Sequence, residues 1–218
     1  MKEINKYYSK RAQEYEQIYH RNDPIRQNEQ NKIAKKIKEL FNNKKILEVA
    51  CGTGYWTTYL SEAAKEITAT DNSNKVLEIA QQKSYKCPVY FKKCDAYYLP
   101  FNANLFEGGL ANFWFSHIPK ERIKLFLDNL HSVLLNGAIV FMADNVFNER
   151  IGGKLVHDKR SNNTFKIRTL ENGEQYKILK NYYSEQEVKK ILNRDLDILD
   201  IYFGNCFWYV CYKVNKSL

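Results

Sequence analysis

Residues 46–60 read ILEVACGTGYWTTYL. The stretch passes from an apolar run into a turn carrying Gly52 and Gly54, then into residues at helical spacing. A strand that ends in Gly-x-Gly ahead of a helix aims backbone N–H groups at a ligand, because glycine permits the turn and the close approach. The same alternation continues on either side. KILEVA (45–50), EITATD (66–71), PVYFKKCD (88–95), FEGGLANFWFS (106–116) and AIVFMAD (138–144) read as strands. NEQNKIAKKIKELF (28–41), YWTTYLSEAA (55–64), SNKVLEIAQQKS (73–84) and KERIKLFLDNLHSVL (120–134) read as helices. Ile33, Ile37, Leu40 and Phe41 form the inward face of the first, Ser73 caps the third, and Asn136-Gly137 is expected to stop the fourth. The order implies βαβ units and a doubly wound, mostly parallel α/β sheet.

The pattern changes after residue 145. TFKIRTL and YKILKNY flank ENGE like the arms of a β-hairpin, within an inserted basic arm spanning 148–182. Helical periodicity returns at SEQEVKKILNR (184–194), where Ser184 and Glu187 fit a capping box. LDILDIYFG and CFWYVCYKV, separated at Gly204-Asn205, read as a closing antiparallel strand pair. At the other end, residues 1–20 look helical, with Ala12, Tyr15, Ile18 and Tyr19 on one face. One domain is expected over 1–218, since repeats and low-complexity linkers are absent.

The chain has 218 residues, 44% of them hydrophobic, and a net charge of +9. That charge suits an anionic partner, although basic residues are mostly interleaved with acids and nucleic acid is not favoured. Five cysteines at irregular spacing form no CxxC pair, so reduced thiols and no metal are expected. No secretory h-region or membrane-length apolar run occurs, and a soluble cytoplasmic protein is expected.

The ligand of the glycine turn is narrowed by three residues. A dinucleotide fingerprint needs glycine or alanine at position 57, where Thr57 stands. Asp71, at the end of the second strand, suits ribose hydroxyls. Glu48, just before the turn, would repel phosphate and attract an ammonium group. Together they point to an aminoacyl-nucleoside and away from a nicotinamide-dependent oxidoreductase.

LEVACGTGYWT, TATDNS and KKCDAYYLPF resemble, in order and spacing, motifs of the class I S-adenosylmethionine-dependent methyltransferases. The resemblance covers roughly residues 5–145. It implies a Rossmann-like seven-stranded sheet with an antiparallel C-terminal strand, S-adenosylmethionine as methyl donor and S-adenosylhomocysteine as product. It places Gly52 and Gly54 along the methionine moiety, Glu48 near its amino group, and Asp71 and Asn72 at the ribose. Asp95 and Ala96 fall at the adenine, and Ala50 and Asn112 join this set. NKYYSKRAQEYEQIYHR resembles the helical lid of small-molecule methyltransferases, so 1–27 is expected to be a lid. Tyr8 and Tyr15 are then cofactor candidates and Tyr19 a substrate candidate, with Arg11 a partner for the cofactor carboxylate.

Ligands of open α/β sheets bind beyond the carboxyl ends of the strands. His117, directly after the fourth strand, is therefore the candidate general base or substrate contact; a His before Ile-Pro could equally cap the next helix. FWFSHIPKER, MADN and YKILKNYYS resemble a subgroup of small bacterial methyltransferases, which raises His117, Asn145 and Lys180 as pocket candidates; Asn145 and Lys180, with Trp114 from the end of the fourth strand, are the substrate candidates beside Tyr19. The reading is methyl transfer to an oxygen or nitrogen of a small, possibly anionic, molecule. An RNA or protein acceptor, or binding without turnover, remains the alternative.

Overall fold

The computed structural model describes residues 7–216 apart from 9, 13, 150–153, 159, 171 and 193–195. The N-terminal segment is broken where the sequence suggests one helix. Tyr7, Tyr8, Lys10 and Arg11 are helical, Ala12 turns, and Tyr15–Ile18 form a separate 3-10 turn. The two pieces answer to different partners: Tyr8 reaches His117, while Tyr19 stacks on Tyr55 with ring centroids 3.9 Å apart.

Helix α1 (Pro24–Leu40) begins four residues before the periodicity suggests. Asp23 accepts from the Arg26 N–H at 3.1 Å, and Pro24 supplies a first helical residue with no N–H to satisfy. There follow β1 (Lys45–Val49), α2 (Tyr55–Ser61), β2 (Glu66–Asp71), α3 (Asn74–Gln81), β3 (Val89–Lys93), β4 (Phe106–Asn112) and α4 (Ile123–Val133). The chain continues through β5 (Leu134–Asn145), β6 (Leu155–His157), β7 (Thr164–Thr169), β8 (Gln175–Leu179), α5 (Glu185–Leu192), β9 (Leu196–Phe203) and β10 (Phe207–Val214).

Seven strands form one sheet in the order β3-β2-β1-β4-β5-β10-β9. Every neighbouring pair from β3 to β5 is parallel, and β10 runs antiparallel to both β5 and β9. Asn136-Gly137 does not stop α4. Leu134 already pairs with Phe106, and the register then shifts so that Ile139 pairs with Gly108. Gly137, at φ +79°, takes up this bulge inside β5.

Alternation along β1 divides the core. Ile46 packs with Ile33, Ile37 and Phe41 of the α1 side, and Leu47 with Phe126 and Leu130 of α4 on the other face. Both faces are covered, as a parallel sheet requires.

The inserted arm is a separate sheet in the order β6-β7-β8, a hairpin with a third strand added. Asn181, buried after β8, ties it to the main body: its side chain donates to the Ile118 carbonyl at 3.0 Å and accepts from the Thr164 N–H at 2.9 Å. Ser184 and Glu187 make the reciprocal capping box that starts α5. Glu29 of α1 accepts the backbone N–H groups of Asn205, Cys206 and Phe207 at 2.7–3.1 Å, pinning the β9–β10 turn to the helix. Among the described residues, no helix is long and apolar enough to cross a membrane.

Candidate active site

Two cavities open side by side at the carboxyl ends of β1, β2, β4 and β5. The first, about 780 Å³, is lined by Ala50, Gly52, Asp71, Asn72, Asp95 and Ala96. The second, about 1010 Å³, lies under the N-terminal segment and the small sheet. Tyr8, Phe113 and His117 line both and so form their common wall.

The turn after β1 shapes the first cavity. Gly52 has φ +57°, and a Cβ built on it would meet nothing within 4 Å. Its open side faces the first cavity. Gly54, at φ +80°, does a different job: a Cβ there would run into the Tyr85 hydroxyl, so the glycine lets α2 and α3 close behind the turn. Ala50 and Phe113 both hold left-handed backbone, at φ +55° and +58°. Non-glycine residues pay a strain for this, and such strain gathers at ligand sites.

Asp71 is fixed from both sides. One carboxylate oxygen accepts the Gly52 N–H at 3.1 Å and the other accepts the Ser73 N–H at 2.9 Å. Burial raises its pKa and the backbone donors oppose that rise. Each oxygen keeps capacity for a further donor, which suits vicinal hydroxyls. Asp95 turns the chain by accepting the Tyr97 N–H at 3.0 Å. Asn112 and Trp114 carry the clearest sign of a missing partner. Both polar atoms of the Asn112 amide and the indole N–H of Trp114 are buried without a hydrogen bond. Such groups are rare unless a ligand or water completes them.

Glu48 lies away from this lining. It is buried inside the sheet, where its carboxyl accepts the Thr57 hydroxyl at 2.7 Å. Burial lifts its pKa to about 8, against the bond from Thr57, so the apoprotein carries it largely protonated at neutral pH. The Thr57 that breaks the dinucleotide pattern is thus its partner.

His117 is held at both ring nitrogens. The Leu179 carbonyl, 2.7 Å from Nδ1, can only accept, so Nδ1 carries the proton. Nε2 then accepts from the Tyr8 hydroxyl at 3.0 Å. Burial, with Lys180 nearby, pushes the imidazole pKa down to about 3. His117 therefore stands as a neutral, weakly basic group at the wall between the cavities.

Lys180 lines the second cavity, yet its ammonium is fully engaged. It donates to Ser116 Oγ at 2.6 Å, Asp144 Oδ1 at 2.9 Å and Asn145 Oδ1 at 3.0 Å. Three donors meet three acceptors, locking the end of β8 to the end of β5. Asn145 and Tyr19 line the same cavity. Trp114 faces the first cavity only, and Arg11 faces the second, where it donates to the Tyr7 hydroxyl at 3.0 Å. Tyr15 stands in the 3-10 turn, but its side chain lies outside the described residues. The N-terminal segment is clamped onto the glycine turn by Glu16, which accepts from Thr53 Oγ1 at 2.6 Å and from Lys83.

Sequence reading missed Phe113, Arg21, Arg26, Arg168 and Tyr182 as lining residues. Among the described residues, no group of three or more His, Cys, Asp or Glu could hold a metal ion.

Residues 46–137 match a family model described as a methyltransferase domain. A demethylmenaquinone methyltransferase of Staphylococcus epidermidis is 32% identical over 136 residues, which is 59% of this chain and 56% of that protein. The chain thus spans little more than half the length of such relatives. Among solved structures, one titled a DhpI-SAM-HEP complex superposes with a TM-score of 0.81 at 22% identity, covering 98% of this chain and 97% of that one. A DhpI-SAH complex gives 0.76 with 98% and 96% coverage. These two similarities establish the fold.

Proposed function

We propose that this chain, a class I S-adenosylmethionine-dependent methyltransferase, moves a methyl group to a small molecule held in the second cavity. The observation that carries the reading is the shared wall: Tyr8, Phe113 and His117 border both cavities. A donor in one and an acceptor in the other meet there. That the solved relative binds SAM together with HEP, and that the curated relative acts on demethylmenaquinone, supports a donor site beside a small-molecule site.

The first cavity fits the donor on its own features. Asp71 takes the ribose hydroxyls, Asp95 and Ala96 the adenine, and the open side of Gly52 the methionine part. Asn112 would satisfy its orphaned amide on the methionine end. S-adenosylmethionine supplies an activated methyl sulfonium, so the protein's part is to align the acceptor and keep water out. Tyr8, fixed by His117, and the Glu16 clamp on Thr53 close the site from the N-terminal side.

The test is incubation with methyl-labelled S-adenosylmethionine and cell extract. Label in the small-molecule fraction supports the reading. Label removed by nuclease or protease transfers the assignment to a macromolecular acceptor, and none at all leaves only binding.

A further inference from the structure

We infer that the acceptor is a small oxyanion, a carboxylate or phosphoryl group, gripped by Arg26 and Arg168 and methylated on an oxygen that is already ionised. The inference rests on the methyl-transfer reading and names its substrate class.

The second cavity is lined by Arg11, Arg21, Arg26, Arg168 and Lys180, with no Asp or Glu among its described lining residues. Lys180 is answered by Asp144 at 2.9 Å. Three of the arginines are not. Arg21, Arg26 and Arg168 make no ion pair among the described residues, although lysines elsewhere pair readily, as Lys36 does with Asp200 at 2.6 Å and Lys45 with Glu66 at 2.9 Å. Compositional bias toward basic residues does not account for this. The chain has 26 lysines and eight arginines, and four of those arginines but one of those lysines line this cavity. A planar guanidinium fork matches two oxygens of a carboxylate or phosphoryl group, which an ammonium does not.

Arg26 is the most telling. It is 7% exposed, donates Nε–H to the Ile18 carbonyl at 3.3 Å and stacks over Phe207 at 4.5 Å. Its position is set by these contacts, and although Asp23 acts on its charge, it forms no ion pair among the described residues. A buried cation without an ion pair is costly, and an arriving anion removes that cost.

The same wall lacks a strong proton acceptor. No carboxylate is among the described residues lining the second cavity, and its described imidazole, His117, has its Nδ1–H tied to Leu179 and feels Lys180 and Arg168 as well as Asp144. An oxyanion acceptor needs none. A lone pair on its oxygen forms the O–CH3 bond as the S–CH3 bond breaks, and the bonding pair stays on sulfur as a neutral thioether. No proton is released. A neutral hydroxyl or an ammonium acceptor would have to lose one.

The experiment passes a protein-free small-molecule extract over an anion exchanger and offers flow-through and eluate separately with methyl-labelled S-adenosylmethionine. Label is expected in the eluate alone. Mild alkali that frees labelled methanol identifies a carboxylate ester, and an alkali-resistant product that remains anionic identifies a phosphoryl ester. Label in the flow-through, or in an ether or amine, overturns the inference. Arg168→Gln is expected to raise KM for the eluate about tenfold or more with S-adenosylhomocysteine affinity unchanged; an unmoved KM overturns it. Failure to bind S-adenosylhomocysteine sinks the donor reading instead. If the wild type binds it but labels nothing, sulfate and acetate are titrated into the S-adenosylhomocysteine complex. Binding weakened by Arg168→Gln upholds the anion site, and no binding of either ion removes it.

Discussion

The hydroxyl of Tyr8 lies 3.0 Å from Nε2 of His117, across 109 residues of chain, and this bond closes the wall between the two cavities. Because Nδ1 is committed to Leu179, the imidazole presents a fixed lone pair to the N-terminal segment. Tyr8→Phe removes the bond and leaves the ring. We expect turnover to fall by about tenfold, the worth of one buried hydrogen bond, with little change in melting temperature. An unchanged rate in a labelled-methyl assay would show that the contact does not position anything.

Asp71 receives one backbone N–H on each oxygen and faces the first cavity. Asp71→Asn keeps the shape but loses the charge-assisted bonds, each worth about 1.5–3 kcal/mol. Affinity for S-adenosylhomocysteine by calorimetry should weaken by at least about tenfold. Wild-type affinity would remove Asp71 from the ribose.

Ala50 sits at φ +55° beside the cavity. Ala50→Gly relieves that strain, and stability in urea should rise by up to about 1 kcal/mol. A loss of stability would mean that the methyl group packs better than the backbone suffers.

Glu48 and His117 give opposite pH signatures. Burial raises Glu48 to about 8 from an ordinary 4.5, so the folded apoprotein holds more protons than the unfolded chain between those values. Its stabilising contribution is full below pH 4.5 and is lost as pH rises through 8, by at most about 1.4 kcal/mol per pH unit. His117 falls from 6.5 to about 3, so its contribution is full above pH 6.5 and is lost as pH drops toward 3. The difference in stability between wild type and Glu48→Gln should therefore slope between pH 4.5 and 8. A flat difference across that range would place Glu48 in a wetter setting than its burial indicates.

Lys180 and Asp144 form a buried pair at 2.9 Å. Lys180→Met strands the carboxylate, and stability should drop by about 3–5 kcal/mol. Adding Asp144→Leu should recover much of it. No recovery would assign the loss to Ser116 and Asn145 instead.

The residues that sequence and structure both bring to the first cavity share one property: they are local. The glycine turn, Asp71 and Asp95 each sit at the end of a strand that periodicity reveals, and the fold then delivers them to one edge. Glu48 reads as a ligand contact because only its position along the strand is visible; its burial against Thr57 depends on how α2 packs. Lys180 reads as free charge because its three acceptors lie 35 to 64 residues away. Arg21, Arg26 and Arg168 carry no spacing signal at all. They converge only once α1, the N-terminal segment and the small sheet have docked. The broken helix at residues 7–18 was hidden for the same reason, since its two halves follow tertiary partners over local preference.

The triple grip of Glu29 on residues 205–207 bears on how the molecule is made. An acid of the first long helix is satisfied by a turn 176 to 178 residues further on, and β10 fills the place between β5 and β9. Until the ribosome has released residues 207–214, β5 keeps an open edge and β9 has no strand to pair with. Such distant closure is slow, because loop entropy is spent before the contacts form. The nascent protein therefore passes through a stage with an unpaired apolar strand edge, the kind of exposed edge that favours aggregation.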